Sequence, residues 1–324
     1  MSATTRVTVA DGIELDVIDT GPGERGTVVL LHGFPESSHS WRHQVAPLAA
    51  AGWRVLVPDQ RGYAASSAPT DVAAYRADHL ADDIAGLLDA CGVDEAVIVG
   101  HDWGAIVTWH IAQRHPHRCR AIIAASVPWT PWPAPPTDVL RAQHGDNFFY
   151  ILYFQIPVIP ETELDADPGR FILSIAHMAS GDGMHSLVGG PMPADGTRLT
   201  DYFEHVIGGR RSELPPWMTA DDLAIYTEQF QRSGFFGPIS WYRNLDANHE
   251  IFTPIGTAPI TMPTFFIAGD LDPVILGRPG YVERMDTDLA DHRSTVLLPG
   301  IGHWVQQEDP EGFNRVLLGW LDSL

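Results

Sequence analysis

Cysteine is almost missing from this chain. Cys91 and Cys119 are the two cysteines among 324 residues, and a disulfide-stapled scaffold needs more bridges in less chain. Both are expected as reduced thiols in or near the core, Cys91 at the end of an amphipathic run over 78–91. Long apolar runs are missing too. None approaches the ~18 residues that cross a bilayer as a helix, so no membrane span is expected. The opening MSATTRVTVADGIELDVIDTG holds no basic start followed by an apolar stretch. A cytoplasmic protein without a cleaved signal is therefore expected. Positive charge is scarce: 20 Lys and Arg against 41 Asp and Glu leave a formal net charge of −21. Such a surface repels phosphate backbones and speaks against nucleic acid as a partner; its plain meaning is solubility. Internal repeats and low-complexity tails are absent as well.

What is present reads as a globular chain, large for one core and short for two full domains, so one domain with an inserted subdomain is expected. Residues 6–9 and 13–18 alternate apolar and polar around Asp11-Gly12, the pattern of a hairpin. Continuous apolar runs at 26–32 (GTVVLLH), 53–58, 96–100, 121–126, 264–268 and 294–298 suit buried parallel strands. Helical patterns at 41–50, 78–91, 104–115 and 312–321 separate several of them. Alternating strands and helices predict an α/β fold, a mostly parallel sheet covered on both faces. The alternation breaks between Pro128 and Pro263. The stretch opens with the proline-rich PWTPWPAPP, read as a linker, and continues with helical segments such as 146–155 and 220–232. It reads as a helical lid over 129–262, with the core formed by 1–128 and 263–324.

Ligands of open parallel sheets bind beyond the carboxyl ends of the strands, and four such ends carry chemistry. Gly100-His101-Asp102-Trp103-Gly104 follows a strand and opens a helix. This is the glycine-x-nucleophile-x-glycine elbow with Asp as the nucleophile; the plain alternative is an Asp capping the helix. His32-Gly33-Phe34-Pro35 ends the preceding strand, where the backbone N–H of Phe34, with that of Trp103, would form an oxyanion hole. Gly269-Asp270-Leu271-Asp272 offers the triad acid, with Asp272 preferred to Asp270. Gly302-His303-Trp304 offers the base. The order 102, 272, 303 matches nucleophile, acid, base. His110, His115 and His117 cluster near a helix end but lack a clean ligand spacing.

With these motifs in place, the chain resembles the epoxide hydrolases of the α/β-hydrolase superfamily. The resemblance runs through HGFPESSHSWRHQ (32–44), PDQRGYAASSAP (58–69), GHDWGA (100–105), NFFYILYFQ (147–155), WYRN (241–244), AGDLDPV (268–274) and GHW (302–304). It implies that Tyr150, with Tyr153 as its competitor, and Tyr242 donate from the lid to the epoxide oxygen. It implies an ester on Asp102 that water, activated by His303, hydrolyses to a vicinal diol. No metal or organic cofactor is implied. An apolar substrate pocket is expected, with Trp103, Phe148, Leu152, Phe154 and Trp304 near the site by motif position. The partner is a small epoxide, the protein a monomer or homodimer, and detoxification one role among several.

Four rivals share features. A haloalkane dehalogenase would use the same nucleophile, and Trp103 suits a halide, but its second donor is typically an Asn where this chain has Phe34. Fluoroacetate dehalogenases typically carry Arg where Trp103 stands, and a serine esterase needs Ser at 102. A non-catalytic binding member of the fold would be expected to lose part of the triad.

Overall fold

A computed structural model describes residues 4–208 and 213–324. Eight strands form one sheet: β1 Thr4–Thr8, β2 Glu14–Asp19, β3 Thr27–Leu31, β4 Arg54–Asp59, β5 Ala96–His101, β6 Cys119–Ala125, β7 Thr264–Gly269 and β8 His292–Leu298. Their order is β1-β2-β4-β3-β5-β6-β7-β8. β1 and β2 pair antiparallel, β2 joins β4 antiparallel, and every later pairing is parallel. The hairpin turns through a short 3-10 helix at Ala10–Gly12.

Side chains of β3 to β7 alternate between two apolar layers, whereas β1 and β8 form the edges. The buried strand expected at 294–298 is an edge strand in which Thr295 and Leu297 are exposed, because no strand among the described residues pairs with its outer side. From β3, Val28 and Leu30 enter one cluster and Val29 and Leu31 the other. The first cluster packs under α1 Arg42–Ala50 and the last helix, Pro310–Asp322. The second packs under α2 Ala77–Ala90 and α3 Trp103–Arg114. Both faces are thus covered, which is why these strands are continuously apolar. Cys91 and Cys119 are free thiols.

Between β6 and β7 the described residues contribute helices and no strand of the sheet: α4 Pro136–His144, α5 Tyr150–Tyr153, α6 Ile159–Ala166, α7 Pro168–Met178, α8 Gly181–Met184, α9 Leu199–Ile207, α10 Ala220–Ser233, α11 Phe236–Arg243 and α12 Leu245–Phe252. The helix expected over 146–155 shrinks to the four residues of α5. Its first part is held extended: Phe148 N–H donates to Met192 O, and Asn147 bridges Pro193. After β7 come α13 Pro273–Leu276, α14 Tyr281–Asp288, β8, α15 Val305–Glu308 and α16 Pro310–Asp322. No helix among the described residues is long and apolar enough to cross a membrane.

β3 is flanked by β4 on one side and β5 on the other, so the chain reverses its direction of travel across the sheet there. The loops after β3 and β5 diverge at such a point and leave a crevice. Gly33-Phe34 and Asp102 stand at its two lips.

Candidate active site

The turn after β5 is tight enough to dictate its glycines. A Cβ on Gly100 would lie 2.1 Å from Gly104 O, and one on Gly104 2.1 Å from Leu31 O. Asp102 sits between them at φ 52°, ψ −118°, a region that costs a non-glycine residue on the order of 1–3 kcal/mol. It occupies the capping position of α3, yet its side chain makes no capping hydrogen bond. The carboxylate turns to the crevice instead. Oδ1 accepts the Phe34 N–H at 2.8 Å, and Oδ2 lies 3.5 Å from His303 Nε2. Gly33 makes this approach feasible, since a Cβ there would be 2.4 Å from that of Asp102.

The other face of His303 meets the loop after β7. Asp272 is wholly buried, and both of its oxygens lie 3.1 Å from His303 Nδ1. Asp270 faces outward and accepts the Gly300 N–H. The structure thus brings Asp102, His303, Asp272 and the Phe34 N–H together. Burial alone pulls the imidazole down, but the charge of Asp272 and the hydrogen bonds and charge of both carboxylates more than reverse it, holding His303 well above its ordinary value. Burial likewise pushes Asp102 up, and His303, His101 and the Phe34 N–H together hold it below the usual carboxylate range.

A layer beneath these groups has no counterpart among the residues singled out from sequence. Glu36, fully buried, accepts from Gly33 N–H and pairs with His101 Nδ1 at 2.7 Å. His101 Nε2 donates to His303 O at 2.7 Å. Gln306 and Gln307 amides donate to the remaining Glu36 oxygen. One carboxylate thereby ties the loops after β3, β5 and β8 together. The signal was an acidic residue in an otherwise apolar turn, directly after His32-Gly33-Phe34-Pro35.

Above the carboxylate lies a cavity of about 190 Å³. Tyr150 and Tyr242 both line it, with ring centroids 5.9 Å apart. Burial and the negative charge of Asp102 raise both phenols above their ordinary value, so they stay protonated. Tyr153 does not reach the cavity; its hydroxyl donates to Glu163 within the lid.

Of the expected pocket residues, Trp103 lines the cavity and Phe148, Leu152, Phe154 and Trp304 do not. Phe148 packs on Tyr153 and Tyr202. Leu152 lies two residues from Tyr150 on the same short helix, about 200° around its axis. Phe154 stands behind the tyrosines, 5.1 Å from the Tyr242 ring, and wedges it with Phe34. Trp304 donates its indole N–H to Ala176 O and packs against the His303 ring. The wall is built instead from one face of α3 (Trp103, Ile106, Trp109, His110, Gln113) and from 127–132 of the proline-rich stretch. The spacing of three and four along α3 was the available signal. His110 stacks on Phe252, and burial lowers it to about 4, so it is neutral. His115 pairs with Asp82.

Known proteins resemble the chain in sequence and in fold. Residues 26–150 match the alpha/beta hydrolase fold family. The whole chain is similar to Epoxide hydrolase A of Mycobacterium tuberculosis, with 40% identity covering 99% of this chain and 98% of the relative. It is 32% identical to Bifunctional epoxide hydrolase 2 of Sus scrofa, covering 98% of this chain and 55% of that protein. Among solved structures, Epoxide Hydrolase A from Mycobacterium thermoresistibile superimposes with a TM-score of 0.88 at 40% identity, covering 99% and 98% of the two chains. An epoxide hydrolase from an endophytic Streptomyces does so with 0.90 at 34%, covering 98% and 95%.

Proposed function

The chain belongs to the epoxide hydrolases of the alpha/beta hydrolase fold, and from that membership we propose that it converts an apolar epoxide and water to a vicinal diol through an ester on Asp102. The observation that carries the reading is the joint placement of one carboxylate and two phenols. Asp102, Tyr150 and Tyr242 line one cavity, and the two phenol rings lie 5.9 Å apart. A nucleophile on one side of a strained ring and proton donors on the other are what ring opening requires.

Asp102 Oδ1 is engaged by the Phe34 N–H, so Oδ2 is the oxygen free to attack. A bond forms from Oδ2 to an epoxide carbon as that carbon's bond to the ring oxygen breaks. Tyr150 and Tyr242 hydrogen-bond the departing oxygen and supply its proton. The ester is neutral, so His303 loses one of the two carboxylates that held its proton; it yields that proton to the phenolate left by ring opening and becomes a base. It takes a proton from water, whose oxygen attacks the Asp102 carboxyl carbon. The N–H groups of Phe34 and Trp103 hold the oxyanion on Oδ1. Collapse breaks the bond from that carbon to Oδ2, which leaves with the diol and takes the proton from His303. The second water proton, left on the new Asp102 carboxyl, returns to His303. Asp272 orients His303 throughout. The chemistry uses protein side chains and water alone.

The nearest rival, halide displacement, needs a second side-chain donor where Phe34 offers only a ring. Purified protein incubated with styrene oxide and, separately, a 1-haloalkane separates the two. Diol in excess of enzyme without halide is expected. Halide without diol would overturn the reading, and binding without turnover would assign a non-catalytic role.

A further inference from the structure

The cavity wall carries a group that ring opening and ester hydrolysis leave unused. Arg278 follows α13 and lines the same cavity as Asp102 and Tyr150. Its guanidinium carbon lies 4.9 Å from the Trp132 ring centroid, and Nη1 is 3.5 Å from Thr130 Oγ1, at the limit of a hydrogen bond. No ion pair to a carboxylate holds it among the described residues. Most arginines among the described residues meet a carboxylate; Arg120, stacked on Trp53 and donating to Arg25 O, is another that does not. Acidic residues outnumber basic ones 41 to 20, and Arg54, Arg61, Arg76, Arg114 and Arg243 each fork onto a carboxylate. Arg278 is half-buried, and the part of a cation that leaves water for an apolar wall without a counter-ion loses hydration with little return. It is retained at low cost only if something else completes it. Stacking on an indole fixes the plane of the guanidinium and leaves its edge free, and that planar edge matches a carboxylate in two parallel hydrogen bonds.

The geometry points to Arg278 as the receptor for a carboxylate carried by the substrate, so that the preferred substrates are epoxy acids and the products dihydroxy acids. This rests on the epoxide hydrolase reading above and narrows it. The substrate's apolar body lies along Ile106, Trp109 and Trp129, and its anionic end meets Arg278 beside Trp132. A protein of net charge −21 repels anions at a distance, so an acid gains a hold only through a local cation of this kind. Arg278 also acts on the reacting groups by its charge, which reaches Tyr150 and Asp102. The test must therefore separate the two effects.

A series of terminal epoxy carboxylates of increasing chain length, each matched with its primary amide, does so. In the wild-type protein kcat/KM for the carboxylate is expected to exceed that for the amide by about tenfold or more at the chain length that reaches Arg278. Arg278→Gln should abolish that ratio, and Arg278→Lys should keep part of it. Equal rates for acid and amide at every length, or a preference that survives Arg278→Gln, would overturn the proposal. So would an equal loss on both probes, which would assign the arginine to Tyr150 rather than to substrate. Should neither variant fold, inhibition of wild-type styrene oxide turnover decides it: 4-phenylbutyrate must inhibit at lower concentration than 4-phenylbutyramide, and equal inhibition overturns the proposal. Styrene oxide also serves as the control. Diol from it without any preference for acids overturns the role of Arg278 alone, whereas no diol from any epoxide overturns the hydrolase reading together with this one.

Discussion

His303 stands between two carboxylates, and that placement makes its basicity conditional. While both are charged, its proton is held; once Asp102 is an ester, only Asp272 remains. Asp102→Asn reproduces the second condition without substrate. In an NMR pH titration the His303 ring should therefore release its proton at lower pH in that variant than in the wild type. An unchanged or higher titration would contradict the coupling. The same variant should lose turnover on the order of 10⁴-fold while keeping its fold, since Asn differs from Asp by one terminal atom and strains the backbone of position 102 no more than Asp does. Activity that persists once deamidation is excluded by mass measurement would remove Asp102 from the nucleophile's role. His303→Gln should instead accumulate labelled substrate on the enzyme. At this scale the sequence was most informative: Asp102, Asp272, His303 and Phe34 could be named from local motifs and Tyr150 and Tyr242 from the family resemblance, and the structure brings the first four together and lines one cavity with Asp102 and both tyrosines. Phe148, Leu152, Phe154 and Trp304 could not be placed that way. Closeness in a motif does not determine which side of a short helix or ring stack faces the cavity.

Among the elements, α10 links the lid to the sheet layers through an ionic cluster. Thr219 and Asp222 close a capping box at its start. The same Asp222 carboxylate pairs with His39 at 2.7 Å and Arg42 at 2.9 Å, across from it on the segment leading into α1. Burial raises this carboxyl, but the Thr219 hydrogen bonds, His39 and Arg42 outweigh it and hold the group at about 2. A depressed carboxyl contributes stability that is complete above its ordinary value of 3.8 and is lost as pH falls through about 2. Melting temperature recorded between pH 5 and about 2 should therefore fall less steeply in Asp222→Asn, where nothing ionises, than in the wild type. Parallel profiles would remove Asp222 from the linkage. The central strands β3 to β7 were legible because each is a short apolar run bounded by turn residues, and β1 and β2 because they alternate around Asp11-Gly12; the run at 294–298 did not reveal that it forms an exposed edge. The lid was legible only in bulk: its helices are short, punctuated by Gly and Pro, and in 145–149 displaced by pairing to Met192 and Pro193, which no local pattern reveals.

Taken whole, the molecule has two apolar layers of unequal reach. One is confined between the sheet and α1 with α16. The other begins under the sheet at Val29, Leu31 and Ile98 and continues without a break to Leu164, Phe171, Phe230 and Tyr242 in the lid. A lid that shares its core with the sheet has little left to fold around alone. A single calorimetric transition is therefore expected, with calorimetric and van't Hoff enthalpies in agreement; two resolved transitions would make 129–262 an independent unit. The stretch 128–136, read from sequence as a linker, has a further consequence. It contains five prolines, Trp109 donates its indole N–H to Val127 O at its start, and Pro128, Trp129, Pro131 and Trp132 face the cavity. Rings locked in the backbone and indoles braced by neighbours have few alternative shapes to surrender when a guest arrives. The enclosure is stiff before it is filled, so it should discriminate among guests by refusing poor shapes rather than by moulding itself to them.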